Sequence, residues 1–228
     1  ISDVLIDSNI ISSSMLNPYF EDIAAFADYR FKKQKEDSEN YDYHDRFLIA
    51  LLGKFNNAQS NALLQKWLSI NDKYLKLKCI EALLLNGQVI KTQPLLDLAT
   101  DRIYRIDLYS ALKKQNKQAL FPKQYLTQQY FAESNIYAAA SDEDEPSALT
   151  YLTQKIITIH GKKGRFFFYK ITFGEDEKTD YLACAGPFDL NPLKLPDDES
   201  YGTLYFDEEF DKAGLQKQMN ALIKQVTD

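Results

Sequence analysis

Residues 71–88 read NDKYLKLKCIEALLLNGQ, and apolar side chains occupy more of this segment than one face of a lone surface helix holds. Leu77, Ile80 and Leu84 form one stripe at helical spacing, and Leu75, Cys79 and Ala82 form another. A helix with two apolar stripes packs on more than one neighbour. Slid by 29 residues, the segment falls on TDRIYRIDLYSALKKQNK, residues 100–117. Asp72 then meets Asp101, Lys73 meets Arg102, and Ala82-Leu83 meets Ala111-Leu112; Tyr74, Leu75, Leu77 and Cys79 meet Ile103, Tyr104, Ile106 and Leu108. An earlier, fainter copy lies at an offset of 31, where Tyr43, Ile49 and Leu52 fall on Tyr74, Ile80 and Leu83. A second helical segment follows each of the first two copies, and there Leu64 and Trp67 fall on Leu95 and Leu98.

Each unit reads helix, turn, helix in about 30 residues, the period of helical solenoids. Asp72 and Asp101 stand where a side chain caps the free N–H groups of a first helix. Asn86-Gly87 supplies the left-handed residue that closes one. Pro94 sits in the first turn of the next helix, where its missing N–H costs little. The third copy is incomplete, because residues 115–121 show no clear second helix. Ahead of the copies, Phe20, Ile23, Ala24, Ala27 and Phe31 mark one more amphipathic helix over 19–31, and KKQKEDSENYD, 32–42, reads as a charged, solvated loop. Residues 42–121 resemble HEAT-like helical repeats.

The pattern changes near residue 125. YLTQQYFAESNIYAAA, 125–140, reads as a helix, and SDEDEPSA, 141–148, as an acidic loop. TYLTQKIITIHG (150–161), RFFFYKITFG (165–174) and DYLACAGPF (180–188) read as strands, with turns at GKKG (161–164) and GEDEKT (174–179). A short fourth strand, GTLYF, covers 202–206. A terminal helix follows, capped by Asp207 and striped with Leu215, Met219, Leu222, Ile223 and Val226. The expected architecture is α+β. A helical-repeat domain over 1–124 precedes a small domain over 125–228, an antiparallel meander with the C-terminal helix packed on it.

Charge follows the same division. Residues 1–121 carry 16 basic and 15 acidic residues, and residues 122–228 carry 11 and 18. The net charge of −6 argues against nucleic acid as a partner, since that binding is driven by phosphate neutralisation. No apolar run approaches the ~20 residues that span a bilayer. The chain opens at Ile1 without a leader-like segment and reads as a piece of a longer polypeptide.

Candidate sites are few. The acidic run Asp142, Glu143, Asp144, Glu145 lacks the alternating spacing of a calcium loop and reads as solvated. His44 and His160, the two histidines, have no second ligand at zinc spacing and no nucleophile motif. The glycines form no dinucleotide cradle. Cys79 and Cys184 both lie in apolar patterns and read as buried thiols. No catalytic, cofactor-binding or metal-binding residue is assigned, and no cofactor is expected. Phe166, Phe167, Phe168 and Tyr169 alternate across one strand, so they serve as core, as a domain interface or as an interaction surface.

The order of QYLTQQYFAES (124–134), SDEDEPSA, YLACAGPF (181–188) and EEFD (208–211) after a helical repeat looks like the C-terminal part of long bacterial proteins of the TraB/GumN type. In that family the hydrolase-like domain is separate and carries a Gly- and His-based motif. No such motif stands here, so no catalytic residue carries over. The resemblance implies an accessory or binding region of an exported protein and a cell-envelope location.

The leading expectation is a non-catalytic interaction or scaffolding module. Its partner is a protein or another domain of the same polypeptide. The alternative is an accessory domain of an exported hydrolase whose active site lies outside this chain. An enzyme with an unrecognised carboxylate pair needs two carboxyls roughly 5–9 Å apart in a cleft.

Overall fold

Residues 13–36, 44–141, 145–174, 176–195 and 202–227 are described in a computed structural model of the chain. The chain divides between Pro122 and Lys123 into two compact units. The first is helical and the second is an antiparallel sheet with helices, an α+β arrangement.

In the first unit, short turns over Ser13–Leu16 and Asn17–Tyr19 lead into α1 (Phe20–Glu36), α2 (Asp45–Phe55), α3 (Ala58–Trp67), α4 (Lys73–Leu85), α5 (Thr92–Thr100) and α6 (Arg105–Lys114). Helix α1 runs five residues beyond the sequence expectation, to Glu36. Lys32 and Lys33 hold acids on its own exposed face, Asp28 and Glu36, so charge there does not break the helix;. Residues 37–42, the rest of the expected loop, lie outside the described residues.

Helix α4 answers for its two stripes. It packs against α2, α3, α5 and α6, and Leu75, Leu77, Cys79, Ile80, Ala82, Leu83 and Leu84 are all buried. The first helices α2, α4 and α6 lie in a row, α2 on α4 and α4 on α6. Leu52, Leu83 and Leu112, spaced by 31 and 29, are each fully buried. So are Leu64 and Leu95, and Trp67 and Leu98, on the second helices. Phe31 of α1 meets Trp67 edge to face at 6.0 Å.

The ends of the three first helices share one device. Asn56, Gly87 and Asn116 all have positive φ, at 42°, 68° and 55°. After α4, the Gln88 N–H donates to Leu83 O at 2.9 Å and the Gly87 N–H to Leu84 O at 3.0 Å. After α6, Lys117 N–H donates to Leu112 O at 2.8 Å and Asn116 N–H to Lys113 O at 3.0 Å. These pairs of bonds satisfy carbonyls that a helix end leaves open. Asp72 caps α4 as expected, its Oδ1 accepting from Leu75 N–H at 2.7 Å. Asp101 does not cap α6 directly. Its Oδ1 accepts from Ile103 and Tyr104 N–H at 2.8 and 3.2 Å, and α6 begins one residue later. The third layer has short turns in place of a second helix, and Phe121 closes it, buried against Tyr109 at 5.5 Å.

The second unit contains α7 (Gln128–Ser141), β1 (Ala148–Ile159), β2 (Lys162–Phe173), β3 (Thr179–Phe188), β4 (Gly202–Glu209) and α8 (Leu215–Thr227). The four strands form one antiparallel sheet in the order β1-β2-β3-β4. The first hairpin turns on His160 and Gly161, with φ of 48° and 77°, so Ile159 faces Lys162. The expected turn at GKKG is therefore corrected. Two successive left-handed residues make a two-residue turn that matches strand twist, which frees Lys162–Gly164 to join β2. The terminal helix is corrected too. It begins at Leu215, and Asp207 lies in β4, whose ladder with β3 runs on to pair Glu209 with Tyr181. Backbone bonds set that strand, so its acidic side chains do not read as a helix cap. Asp211 builds the turn instead, accepting from Ala213 N–H at 2.8 Å, while Gln218 Oε1 accepts from Asp211 N–H at 2.9 Å.

Helices cover both faces of the sheet. Phe166, Phe168, Leu182, Cys184 and Ile157 form a core with Met219 and Leu222 of α8. The alternate residues Tyr169 and Phe167 pair across to Ala183 and Ala185, on the face where Tyr169 Oη donates to Gln129 O of α7 at 2.7 Å. Small residues on β3 let α7 pack closely there;. Gln128 reaches three carbonyls of the loop after β3. Gln128 Nε2 lies 3.0, 3.0 and 2.9 Å from the carbonyl oxygens of Asp189, Asn191 and Lys194.

Candidate functional site

The aromatic run of β2 is interior. Phe166, Phe167, Phe168 and Tyr169 are exposed by 0, 3, 0 and 2%. Phe167 meets Phe188 edge to face at 5.3 Å, and Tyr169 meets Tyr151 at 5.6 Å. These four residues are packing groups of the sheet unit and form no exposed patch.

The thiols are interior as well. Cys79 and Cys184 are free and buried. Burial pushes the Cys79 thiol far up and the Cys184 thiol up to about 12, because the thiolate loses its hydration. Maleimide at neutral pH is therefore expected to leave the folded protein unlabelled and to modify both cysteines after denaturation. Fast labelling of the native chain would contradict their placement.

Sequence reading missed the charged groups inside the helical unit. Asp45, Lys76 and Arg105, spaced by 31 and 29, are all buried in the first turns of α2, α4 and α6. Asp45 takes two bonds from Arg30, Nε to Oδ1 at 2.8 Å and Nη2 to Oδ2 at 2.9 Å, and a third from Gln34 Nε2 at 2.9 Å. Lys76 Nζ donates to Asp97 Oδ2 at 2.8 Å. Arg105 Nε donates to Ala99 O at 2.8 Å. Each charge ties a first helix to another helix of the unit or to its end. The available signal was the 31 and 29 offsets, which align three charged residues at one position of an otherwise apolar pattern.

The hydrogen bond from Lys76 holds the Asp97 carboxyl below the ordinary aspartate value of 3.8. A depressed folded value means that the pair stabilises the fold above that value and loses its contribution as the pH falls through the lower one. Between about pH 5 and pH 3, the urea midpoint is expected to fall more for the native chain than for Asp97→Asn. Equal falls would remove the pair from the account.

On the surface of the same unit, Arg46 of α2, Tyr74 of α4, and Asp72 and Tyr104 just ahead of α4 and α6 line an open hollow of about 420 Å³. It crosses three successive first helices near their N-terminal ends. The Arg46 guanidinium lies over the Phe47 ring at 4.7 Å, and Lys78 Nζ over Tyr74 at 5.5 Å. A second hollow of about 330 Å³ runs from Gln34–Glu36 to Ser69–Asp72 and shares Asp72 with the first. A guanidinium beside two half-buried phenols suits the carboxylates and backbone carbonyls of a peptide.

Among the described residues, no three His, Cys, Asp or Glu side chains come together to hold a metal ion. No described helix is long and apolar enough to cross a membrane. Of the acidic run, Asp142–Asp144 lie outside the described residues, and Glu145 accepts from Tyr137 Oη at 2.9 Å. His44 is exposed at the start of α2, and His160 occupies the β1–β2 turn. Compared with protein-family models, curated proteins and solved structures, the chain has no match.

Proposed function

We propose that the chain is a non-catalytic interaction module whose helical unit is a short HEAT-like stack. Its partner is a protein, or another domain of the same polypeptide. One observation carries the reading: the Arg46–Tyr74–Tyr104 hollow takes its lining from α2, from α4 and from the residue that leads into α6. Stacked helical units recognise partners through such rows of side chains, one from each layer. Tyr and Arg are also the residue types that dominate interface energetics.

The test is affinity capture from a lysate of the source organism with the full chain and with the triple variant Arg46→Glu, Tyr74→Ala, Tyr104→Ala. None of these side chains belongs to the buried core, so the variant should keep its circular dichroism. A protein whose recovery depends on the three residues supports the proposal. Recovery of the same proteins in the same amounts by both forms refutes it.

A further inference from the structure

The β1–β2 hairpin concentrates the positive charge of the sheet unit. Residues 148–173 contain Lys155, Lys162, Lys163, Arg165 and Lys170 and no acid, while the rest of 123–228 contains six basic and eighteen acidic residues. The hairpin is thus +5 within a remainder of −12. Two of the five cations are tied within the sheet unit by an acid or a main-chain carbonyl. Lys170 pairs with Asp180 at 2.7 Å, and Arg165 donates to Leu190 O at 2.9 Å. Lys162 and Lys163 are exposed at the hairpin tip, and Lys155 reaches only an amide oxygen, Gln216 Oε1, at 3.2 Å.

The same hairpin has an open edge. Among the described residues, β1 lies at the end of the sheet and pairs with β2 alone. The two-residue turn fixes which of its backbone groups are unused. Ile159 and Lys162 flank the turn and bond to each other. Alternation along the ladder then makes Ile157–Gly164 the next bonded pair and leaves Ile156 and Thr158 in the intervening positions;. The N–H and C=O groups of Ile156 and Thr158 therefore point away from β2. The Ile156 side chain is 61% exposed. Sheet edges are ordinarily guarded by short length, proline or charge. β1 has twelve residues, no proline and a single charge, Lys155. The opposite edge, β4, carries Asp207, Glu208 and Glu209.

From the open edge and the segregated charge together, we infer that β1 is a strand-addition site for an extended acidic peptide segment. The segment pairs with the outward groups of Ile156 and Thr158 and sets carboxylates against Lys155, Lys162 and Lys163. This site belongs to the sheet unit and does not rest on the reading of the helical stack.

The probe is a fluorescein-labelled nonapeptide alternating valine and glutamate, titrated with the full chain and followed by fluorescence anisotropy. Saturable binding that weakens as salt rises is expected. It should weaken about tenfold or more, roughly 1.4 kcal/mol, in each of three comparisons. In the first, lysine replaces glutamate in the peptide. In the second, alternate peptide nitrogens are methylated, which keeps the side chains and removes the donors. In the third, the protein carries Lys162→Glu and Lys163→Glu, exposed positions that leave the core untouched. Ile156→Pro adds a fourth comparison, since it removes an outward N–H without costing a β1–β2 bond. Absence of binding, or equal binding of the lysine or methylated peptide, would overturn the inference. So would a dimer in sedimentation that Ile156→Pro converts to monomer, because a second copy would then occupy the edge.

Discussion

Asp45→Ala is expected to destabilise the helical unit by about 3–5 kcal/mol, the range for breaking a buried charge pair from one side. Asp45 is 1% exposed, and both of its carboxylate oxygens are in use. Arg30 grips it with two parallel bonds, the geometry in which a guanidinium and a carboxylate interact best. The substitution takes from that buried guanidinium the carboxylate it grips with two bonds. It also loosens α1 from α2, since Arg30 and Gln34 belong to one helix and Asp45 to the other. The readout is local, because Trp67 is the single tryptophan of the chain and lies in this unit, fully buried against Phe31. Its fluorescence should report a lower urea midpoint. Asp45→Asn keeps the shape and loses the charge, and should fall between the two. An unchanged midpoint for Asp45→Ala would mean that the pair contributes nothing net.

Phe168→Ala is expected to cost the sheet unit a similar amount, about 3–5 kcal/mol, through lost burial and the cavity left behind. The ring is fully buried in the cluster that joins β1, β2 and β3 to α8. Its neighbours across the ladder are Thr153 and Cys184, neither large enough to fill the space. Hydrogen exchange of the β2 and β3 amides is the direct measure, and their protection should drop together. Loss confined to α8 would place the ring at the periphery of the core.

The two predictions rest on features of different legibility. Phe168 was readable as a member of an alternating strand, because a period of two identifies sheet faces in any sequence. The C-terminal helix on one face was readable from its single apolar stripe and is found there; that α7 covers the other face was not, since it reaches the sheet through tertiary packing that no local pattern encodes. Asp45 was not readable as an interior group. A charged residue at a helix start looks like a dipole-complementing surface residue; apart from the repeat offsets, its burial shows only through its partner Arg30, fifteen positions away. The boundaries missed in the second unit have the same origin. Asp207, Glu208 and Glu209 mimic a helix start, but the pairing of Glu209 with Tyr181 outweighs that local preference. Likewise His160 takes a left-handed conformation, uncommon for a residue with a side chain though His adopts it more readily than most, because the two-residue turn requires one. The helix ends, by contrast, were legible at Asn86-Gly87, where residue type and backbone demand coincide.

The central structural claim is that α2, α4 and α6 are equivalent layers, each closed by a left-handed residue at the same position. The most direct measurement is the urea midpoint of Asn116→Gly, followed by Trp67 fluorescence. Asn116 is exposed and has φ of 55°, a conformation that costs a side-chain-bearing residue about 1–2 kcal/mol. Glycine there should raise the stability of the unit by roughly 0.5 kcal/mol after its extra chain entropy is counted. The opposite sign is expected at the equivalent position, where Gly87→Ala should lose about 1 kcal/mol from backbone strain alone, since a Cβ on Gly87 meets nothing within 4 Å. Destabilisation by Asn116→Gly, the ordinary result for glycine inside a right-handed helix, would contradict the equivalence of the layers.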